Sequence, residues 1–185
     1  MSHDFQISHD NQALFITLNT MHRLPIFKKE ELNLVLRSAI DEARRSANLL
    51  LFAYVFMIDH IHLLTDQPKP PSDVLRIIKG ITARRVIDYL KENDYTSSLE
   101  KLRHEVRNRN HRYSLWQTEK NVLPIFSEGM FMQKVNYIHN NPVRAGFVER
   151  AIDYRWSSAR IWRGCAGEDE PLLVDIDRIN WRQSR

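Results

Sequence analysis

The chain has 185 residues, 43% of them hydrophobic, and its 27 Lys and Arg against 23 Asp and Glu give a formal net charge of +4. This length predicts one domain with a small appendage, and we place the boundary between residues 1–150 and an extension, residues 151–185, that packs on or next to it. The basic balance favours an anionic partner without requiring one. Cys165 is the single cysteine, which excludes an internal disulfide and a cysteine-rich zinc site.

The sequence carries no targeting or membrane signal. Its N-terminus lacks the charged and then apolar pattern of a signal peptide. No apolar run approaches the roughly 20 residues that a membrane helix needs. We therefore expect a cytoplasmic protein that has no membrane partner.

The first half of the chain is predicted to form a strand, a helix and then a hairpin of two strands. Residues 13–17 are β-branched and aromatic, which predicts a strand. Residues 28–46 repeat apolar positions at helical spacing. Residues 49–57 are a continuous apolar run typical of a buried strand, and residues 60–65 alternate after a turn at Asp59, which predicts a returning strand.

The second half is predicted to add a helix, a strand and a last helix. Ser72 is a candidate N-cap for a long second helix. Residues 115–116 and 122–126 are candidates for a fourth strand. Residues 131–140 predict the last helix, which Pro142 ends or kinks.

The predicted order β-α-β-β-α-β-α indicates an α+β fold. It matches a ferredoxin-like split β-α-β antiparallel sheet with helices on one face. The last helix is an addition to that arrangement, and it carries Tyr137.

His60 and His62 flank one apolar residue in the predicted returning strand. Side chains of a strand alternate with period two, so both imidazoles lie on one face and form a pair of candidate metal ligands. Imidazoles suit Mn²⁺ or Zn²⁺ better than Mg²⁺, and an added oxygen ligand would help. Asp59 is adjacent, although its side chain could instead bind the turn backbone. The alternative for both histidines is simple packing or hydrogen bonding within the sheet.

Tyr137 and Asn141 are spaced i to i+4 in the last helix. They share one helix face if the helix persists that far. The tyrosine is then a candidate nucleophile, and the amide oxygen a candidate third metal ligand. The alternatives are a core tyrosine beside Val135 and Ile138, and an asparagine that caps a new turn at Pro142.

Basic residues of the second helix and of the polar segment after it are candidates for phosphate binding. Interleaved aromatic residues favour single-stranded nucleic acid, whose bases stack on aromatic rings beside a cationic groove. Arg144, close to the tyrosine, could hold a phosphate in a bidentate manner. The alternative is an ordinary solvated face. The other candidates are Lys79, Arg84, Arg85, Arg103, Arg107, Arg109 and Arg112.

Three segments of the chain resemble the single-strand DNA transposases of the IS200-like type, which carry a His-hydrophobe-His (HUH) motif. Residues 54–64 resemble that motif, and residues 77–85 the helix that follows it. The most specific match is Tyr137-Ile-His-Asn-Asn-Pro142 with its continuation to residue 160, which resembles the C-terminal signature of the REP-associated tyrosine transposases of bacteria.

The resemblance implies a ferredoxin-like catalytic domain in residues 1–150. It implies that His60 and His62 bind a divalent metal, Mg²⁺ or Mn²⁺, that Asn141 is the third ligand, and that Tyr137 is the nucleophile. The substrate it implies is single-stranded or hairpin DNA, an imperfect palindrome of the REP type, cleaved and joined through a 5′-phosphotyrosine intermediate. It further implies a bacterial, nucleoid-associated protein that works as a monomer or homodimer.

The sequence departs from the family pattern directly before the histidines. Ile58-Asp59 stands where the family commonly has Pro-Asn, which changes the hairpin turn without removing a ligand. Two other functions stay open: a hairpin-DNA-binding protein that has lost cleavage, and a metal-dependent phosphoesterase of small substrates. An intact metal site argues against the first, and the basic segments argue against the second.

Overall fold

The computed structural model describes residues 4–103, 112–119 and 121–181. Within these residues, one antiparallel sheet is formed by the four strands β1 (Ala13–Asn19), β2 (Leu51–Phe56), β3 (His60–Thr65) and β4 (Asn121–Ile125). The strand order is β2-β3-β1-β4. This is the ferredoxin-like split β-α-β arrangement, so the predicted α+β fold is confirmed.

The β2–β3 hairpin closes where the sequence predicts a turn. The Met57 amide donates to the carbonyl of His60 (2.8 Å). Only one of the two segments proposed for the fourth strand forms it. The strand begins at Asn121, whereas Trp116 makes an isolated bridge with Thr20.

Two long helices, α1 (Glu30–Ala47) and α2 (Pro71–Glu92), pack on one face of the sheet, and the short α3 (Thr96–Lys101) follows α2. The prediction of Ser72 as an N-cap is wrong, because the helix already begins at Pro71. Proline is favoured at the first helical position, where its missing N–H is not needed.

The helix α4 (Glu128–Arg144) covers the opposite face of the sheet. Successive side chains of β1 lie on opposite faces of the sheet. Leu14 packs with α1 and α2, whereas Phe15 packs on the α4 side. Of the two effects predicted for Pro142, a helix end is wrong, because α4 continues to Arg144. The alternative in which Asn141 caps a new turn is wrong for the same reason. A proline in the last turn removes a single backbone hydrogen bond, and this ring is buried.

The C-terminal residues run along the outer edge of β2. The Phe56 amide donates to the carbonyl of Trp156 (2.8 Å), and the Ser158 amide donates to the carbonyl of Tyr54 (3.1 Å). A helix of one turn, α5 (Ala159–Trp162), follows directly. The open edge of the sheet on this side is therefore covered by the same chain. No helix within the described residues is long and apolar enough to cross a membrane.

Candidate active site

His60 and His62 lie next to each other on the face of the sheet that α4 covers. Their ring centroids are 5.0 Å apart. His62 is 4% exposed and stacks on Phe15 of β1, with ring centroids 5.3 Å apart. The structure thus brings both imidazoles together on one face, as the period-two pattern of the sequence predicts.

Each imidazole is held through its Nδ1 atom. Nδ1–H of His60 donates to Oδ1 of Asp59 (2.6 Å). Nδ1 of His62 lies 2.8 Å from the hydroxyl of Thr17, which pairs with it across the β1–β3 ladder. A hydroxyl both donates and accepts, so this contact is compatible with the tautomer whose Nε2 carries the lone pair. Both side chains can therefore present Nε2 as a ligand atom.

His62 is neutral over the whole physiological range of pH. Burial is the main cause that lowers the pKa of His62 to about 3, and the neighbouring side chains of His60, Arg23 and Lys134 contribute to the same shift. A metal binds the neutral form of an imidazole. The burial of this ring therefore favours the protonation state that a metal ligand requires.

Tyr137 of α4 stands at the edge of this histidine pair. Its ring is edge-on to His62, with centroids 5.3 Å apart, and edge-on to Phe15, with centroids 5.8 Å apart. Val135 and Ile138 on either side are buried, whereas Tyr137 is 37% exposed. The tyrosine is therefore a half-open side chain beside the histidines and not a core residue.

Asn141 lies one turn beyond Tyr137 on the same face of α4, because the helix is continuous through both residues. Phe131 near the start of α4 packs on Phe52 at the start of β2 (5.4 Å), while Tyr137 reaches His62. The helix therefore runs along the sheet toward the His60 end of β3. Nδ2 of Asn141 is buried and has no hydrogen-bond partner among the described residues, so its two N–H donors are left unsatisfied by the protein.

The donor atoms at this site fit a divalent metal. In the part of the chain that the structure describes, no group of three or more His, Cys, Asp or Glu side chains could hold a metal ion. With Asn141 as the predicted third ligand, the donor set would be two imidazole nitrogens and one amide oxygen, and the remaining positions would be open to oxygen atoms of water or phosphate. Mixed nitrogen and oxygen donors of this kind suit Mn²⁺ and, with more oxygen, Mg²⁺.

Two basic side chains flank the tyrosine. Nζ of Lys134 lies 5.6 Å from the centroid of the Tyr137 ring and 4.7 Å from that of Phe15. The guanidinium carbon of Arg144 lies 5.6 Å from the same tyrosine ring. Arg144 was predicted from the sequence, whereas Lys134 was missed, although its i−3 spacing from Tyr137 was a usable signal.

The other predicted DNA-binding residues that the structure describes lie away from the histidines, beside helices on the opposite face of the sheet. A groove of about 840 Å³ runs between α2 and residues 112–118, and Lys79, Arg84 and Arg112 are among its lining residues. Arg103 pairs with Tyr113 in an isolated bridge nearby. Their role in DNA binding remains a prediction. Arg107 and Arg109 lie outside the described residues.

Two of these side chains are already engaged by the protein. Nζ of Lys79 donates to the carbonyl oxygen atoms of Gln117 and Glu119, and burial lowers its pKa. Arg85 forms two hydrogen bonds with Glu42 of α1 (2.7 and 2.9 Å). A phosphate would have to compete with these partners.

A ferredoxin-like sheet with two histidines on one strand, facing a helix that bears a tyrosine, is the arrangement that the sequence resemblance implies. The chain belongs to the IS200-like transposase family, whose model matches residues 9–141. The matched region includes His60, His62, Tyr137 and Asn141. The family is one of DNA transposases, so the resemblance is confirmed at that level.

Two solved structures are similar to the chain. The structure of the REP-associated tyrosine transposase bound to a REP hairpin is 20% identical, with a TM-score of 0.60 over 89% of this chain and 87% of that one. A crystal structure of a candidate transposase from Deinococcus radiodurans R1 is 23% identical, with a TM-score of 0.43 over 70% of this chain and 88% of that one. The first of these shares the fold. No curated protein sequence matches the chain.

Proposed function

We propose that this chain is a metal-dependent single-stranded DNA endonuclease and strand transferase that acts on REP-type hairpin DNA, with Tyr137 as the nucleophile. The observation that carries the proposal is the contact of a half-exposed tyrosine with a buried, neutral histidine of the HUH pair, within a chain of the IS200-like transposase family. The similar structure that holds a REP hairpin supports the choice of substrate.

His60, His62 and Asn141 would hold the cation, Mg²⁺ or Mn²⁺. When bound, a divalent cation polarises a phosphate oxygen and offsets the charge that develops there. The chain's own residues bind the DNA phosphate, orient the tyrosine and keep His62 unprotonated. Lys134 and Arg144 place two positive charges beside the tyrosine ring, where they stabilise an attacking phenolate and the pentacoordinate phosphorus.

The phenolic oxygen of Tyr137 attacks the phosphorus in line with the 3′ oxygen of the scissile bond. The new bond joins tyrosine to the phosphate that stays on the 5′ end of the downstream fragment. The bond to the 3′ oxygen breaks, and that oxygen leaves as a 3′-OH after it takes up a proton from solvent, which balances the phenolic proton that Tyr137 gives up to solvent. Because the phosphodiester is exchanged and not hydrolysed, a 3′-OH can later attack the phosphotyrosine, join the strand and release Tyr137.

The active site we propose is complete within one chain. Tyr137 and His62 belong to the same molecule and their rings are in contact. This supports cleavage by a monomer, with no need for a tyrosine from a second copy. A homodimer remains compatible with the proposal if each of its subunits uses its own tyrosine.

The test is an adduct assay on a denaturing gel. Single-stranded DNA with a REP-type hairpin is labelled at its 3′ end or, separately, at its 5′ end and incubated with the protein and Mg²⁺ or Mn²⁺. We expect the 3′ label to migrate with the protein and the 5′ label to appear on a shorter free fragment. A chelator should remove both products, and the fully paired duplex should give neither.

Other results would point to the alternative functions. Hairpin binding with no cleavage at either label would favour a DNA-binding protein without catalytic activity. Hydrolysis of a small phosphodiester with no protein-linked product would favour a phosphoesterase. A 5′ label that migrates with the protein would contradict the direction of attack that we propose.

Lys134→Met should slow adduct formation by about 100-fold, because one charge that stabilises the transition state is lost. Hairpin binding, measured by gel shift, should fall much less. Lys69→Met is the matched control, since Lys69 is exposed in the loop between β3 and α2, and its rate should be that of the unmodified protein. Equal rates of adduct formation in the two variants would contradict a catalytic role for Lys134.

A further inference from the structure

We propose that Asp59 is a positioning residue that fixes the tautomer and orientation of His60, and that Arg23 holds Asp59 in place. The inference rests on the proposed function, because it concerns how His60 presents Nε2 to a cation. The family pattern does not supply it, since this chain has Asp59 where the family commonly has asparagine. It rests on the contacts around the β2–β3 turn.

The carboxylate of Asp59 is used by side chains and not by the turn. Oδ1 accepts Nδ1–H of His60 (2.6 Å), and Oδ2 accepts Nε–H of Arg23 (2.9 Å). The backbone of the turn is held separately, because the Thr20 amide donates to the carbonyl of Asp59 (2.9 Å). Each carboxylate oxygen therefore has one partner, and the side chain is fixed at two points.

Arg23 reaches the carboxylate from an unusual backbone conformation. His22 and Arg23 have φ values of 54° and 55°, in the left-handed region that L-residues seldom adopt. The guanidinium also donates to Oδ1 of Asn19, which lies opposite His60 in the β1–β3 ladder. Strain of this kind persists only where the surrounding contacts compensate for it. Here it directs Arg23 to the carboxylate of Asp59 and the amide of Asn19 beside His60. Nη2 of Arg23 also lies 3.4 Å from Nδ1 of His60, but the carboxylate is closer (2.6 Å) and is the partner that can accept Nδ1–H.

This geometry makes Asp59 a partner of the ligand and not a ligand itself. Its Oδ1 atom bonds the Nδ1 side of the ring, whereas a cation would bind Nε2 on the other side. An acceptor on Nδ1–H fixes the tautomer and raises the basicity of the ligand nitrogen. At His62, the hydroxyl of Thr17 is the partner of Nδ1. His60 therefore has a charged partner, and His62 has a neutral one.

The first measurement is the tautomer of His60 in the metal-free protein, by ¹⁵N NMR of the side chain at mildly alkaline pH. We expect Nδ1–H in the unmodified protein. Asp59→Asn keeps an acceptor oxygen and should keep this tautomer, whereas Asp59→Ala should shift the ring toward Nε2–H. This readout needs neither metal nor DNA. Nε2–H in the unmodified protein would overturn the inference without any variant.

The second measurement is the affinity of the full chain for Mn²⁺, by calorimetry. Asp59→Ala should weaken binding by about 10- to 100-fold, the usual effect of losing a partner of a ligand, and Asp59→Asn should weaken it less. Asp41→Ala, which removes a half-buried aspartate paired with Arg45 on α1, should leave it unchanged. Circular dichroism checks that each variant is folded.

The outcomes separate this inference from the proposed function. Unchanged Mn²⁺ affinity in Asp59→Ala, or an equal loss in the Asn and Ala variants, would overturn the positioning role; the latter would make Asp59 itself a ligand. If the unmodified protein binds no Mn²⁺ but the tautomer of His60 still depends on Asp59, the proposed metal chemistry fails and the positioning contact stands.

Discussion

Tyr137→Phe should abolish the covalent protein–DNA adduct and leave hairpin binding close to that of the unmodified protein. The substitution removes only the oxygen atom that attacks phosphorus. The ring itself stays, and with it the edge-on contacts to His62 and Phe15 and the two cations beside it. Since the ring is half-exposed, its packing should change little, and the variant should have the same thermal stability.

The measurement is the adduct assay with the 3′-labelled hairpin, together with a gel shift for binding. Tyr89→Phe is a suitable control, because Tyr89 lies on α2 at the opposite face of the sheet and its loss should not affect the adduct. An adduct that survives in Tyr137→Phe would assign the nucleophile to another residue, which mass spectrometry of the linked peptide would identify.

Local patterns in the sequence predict most of the strands and helices. They predict less well where an element ends, because tertiary contacts decide that position. The alternation of residues 60–65 predicts β3 with the bounds that the structure has, because one face of the strand packs against α1 and α2 and the other against α4. Pro142 illustrates the limit. A proline signals a helix end, yet α4 continues past it, since the ring sits in the last turn and is buried by tertiary contacts.

In the candidate site, too, some features follow from local sequence patterns and others depend on the whole fold. Periodicity alone places the two histidines on one face and, once α4 is continuous, Tyr137 and Asn141 on one helix face. That Thr17 lies opposite His62 depends on the register of β1 and β3, which no local pattern specifies. The same is true of Arg23 and Asp59, because their contact requires a left-handed backbone at Arg23.

The positions of basic residues in the sequence are a poor guide to which of them can bind a phosphate. Lys79 and Arg85 look like two available cations on one helix, but the first binds backbone carbonyl groups and the second binds Glu42. Lys134 looks like an isolated lysine and stands beside the tyrosine. Whether a basic residue is available to a phosphate depends on the neighbours that folding gives it.

Residues 151–185 are joined to residues 1–150 by buried hydrogen bonds. Ser158 is fully buried, and its hydroxyl accepts from the amide of Tyr54 in β2 (3.0 Å) and lies 2.9 Å from Nε2 of His139 in α4. The indole of Trp162 donates to the carbonyl of Phe52 (2.8 Å). The extension thus contacts both the sheet edge and the helix that carries Tyr137.

Residues further along the extension also contact the rest of the domain. Asp175 accepts two hydrogen bonds from Arg44 of α1 (2.6 Å each) and one from the amide of Leu51 (2.8 Å). Leu172 and Ile179 are buried in the two core clusters. Each such apolar side chain contributes about 1.5–3 kcal/mol by leaving water, against a total stability of about 5–15 kcal/mol for a domain.

We therefore expect a chain truncated after Arg150 to lose its cooperative unfolding transition and to aggregate, because the edge of β2 becomes an open template for pairing with other chains.

Ser158→Ala is a smaller change that removes one contact of the extension and keeps the rest. It leaves the Tyr54 amide and His139 without their partner and should lower the free energy of unfolding by about 1–3 kcal/mol. Ser46→Ala, at an exposed position of α1, should cost much less. Denaturant unfolding and size-exclusion chromatography measure both effects. If residues 1–150 unfold cooperatively with the stability of the full chain, the extension is an appendage, as the sequence alone suggests, and the cover on β2 is not part of the folding unit.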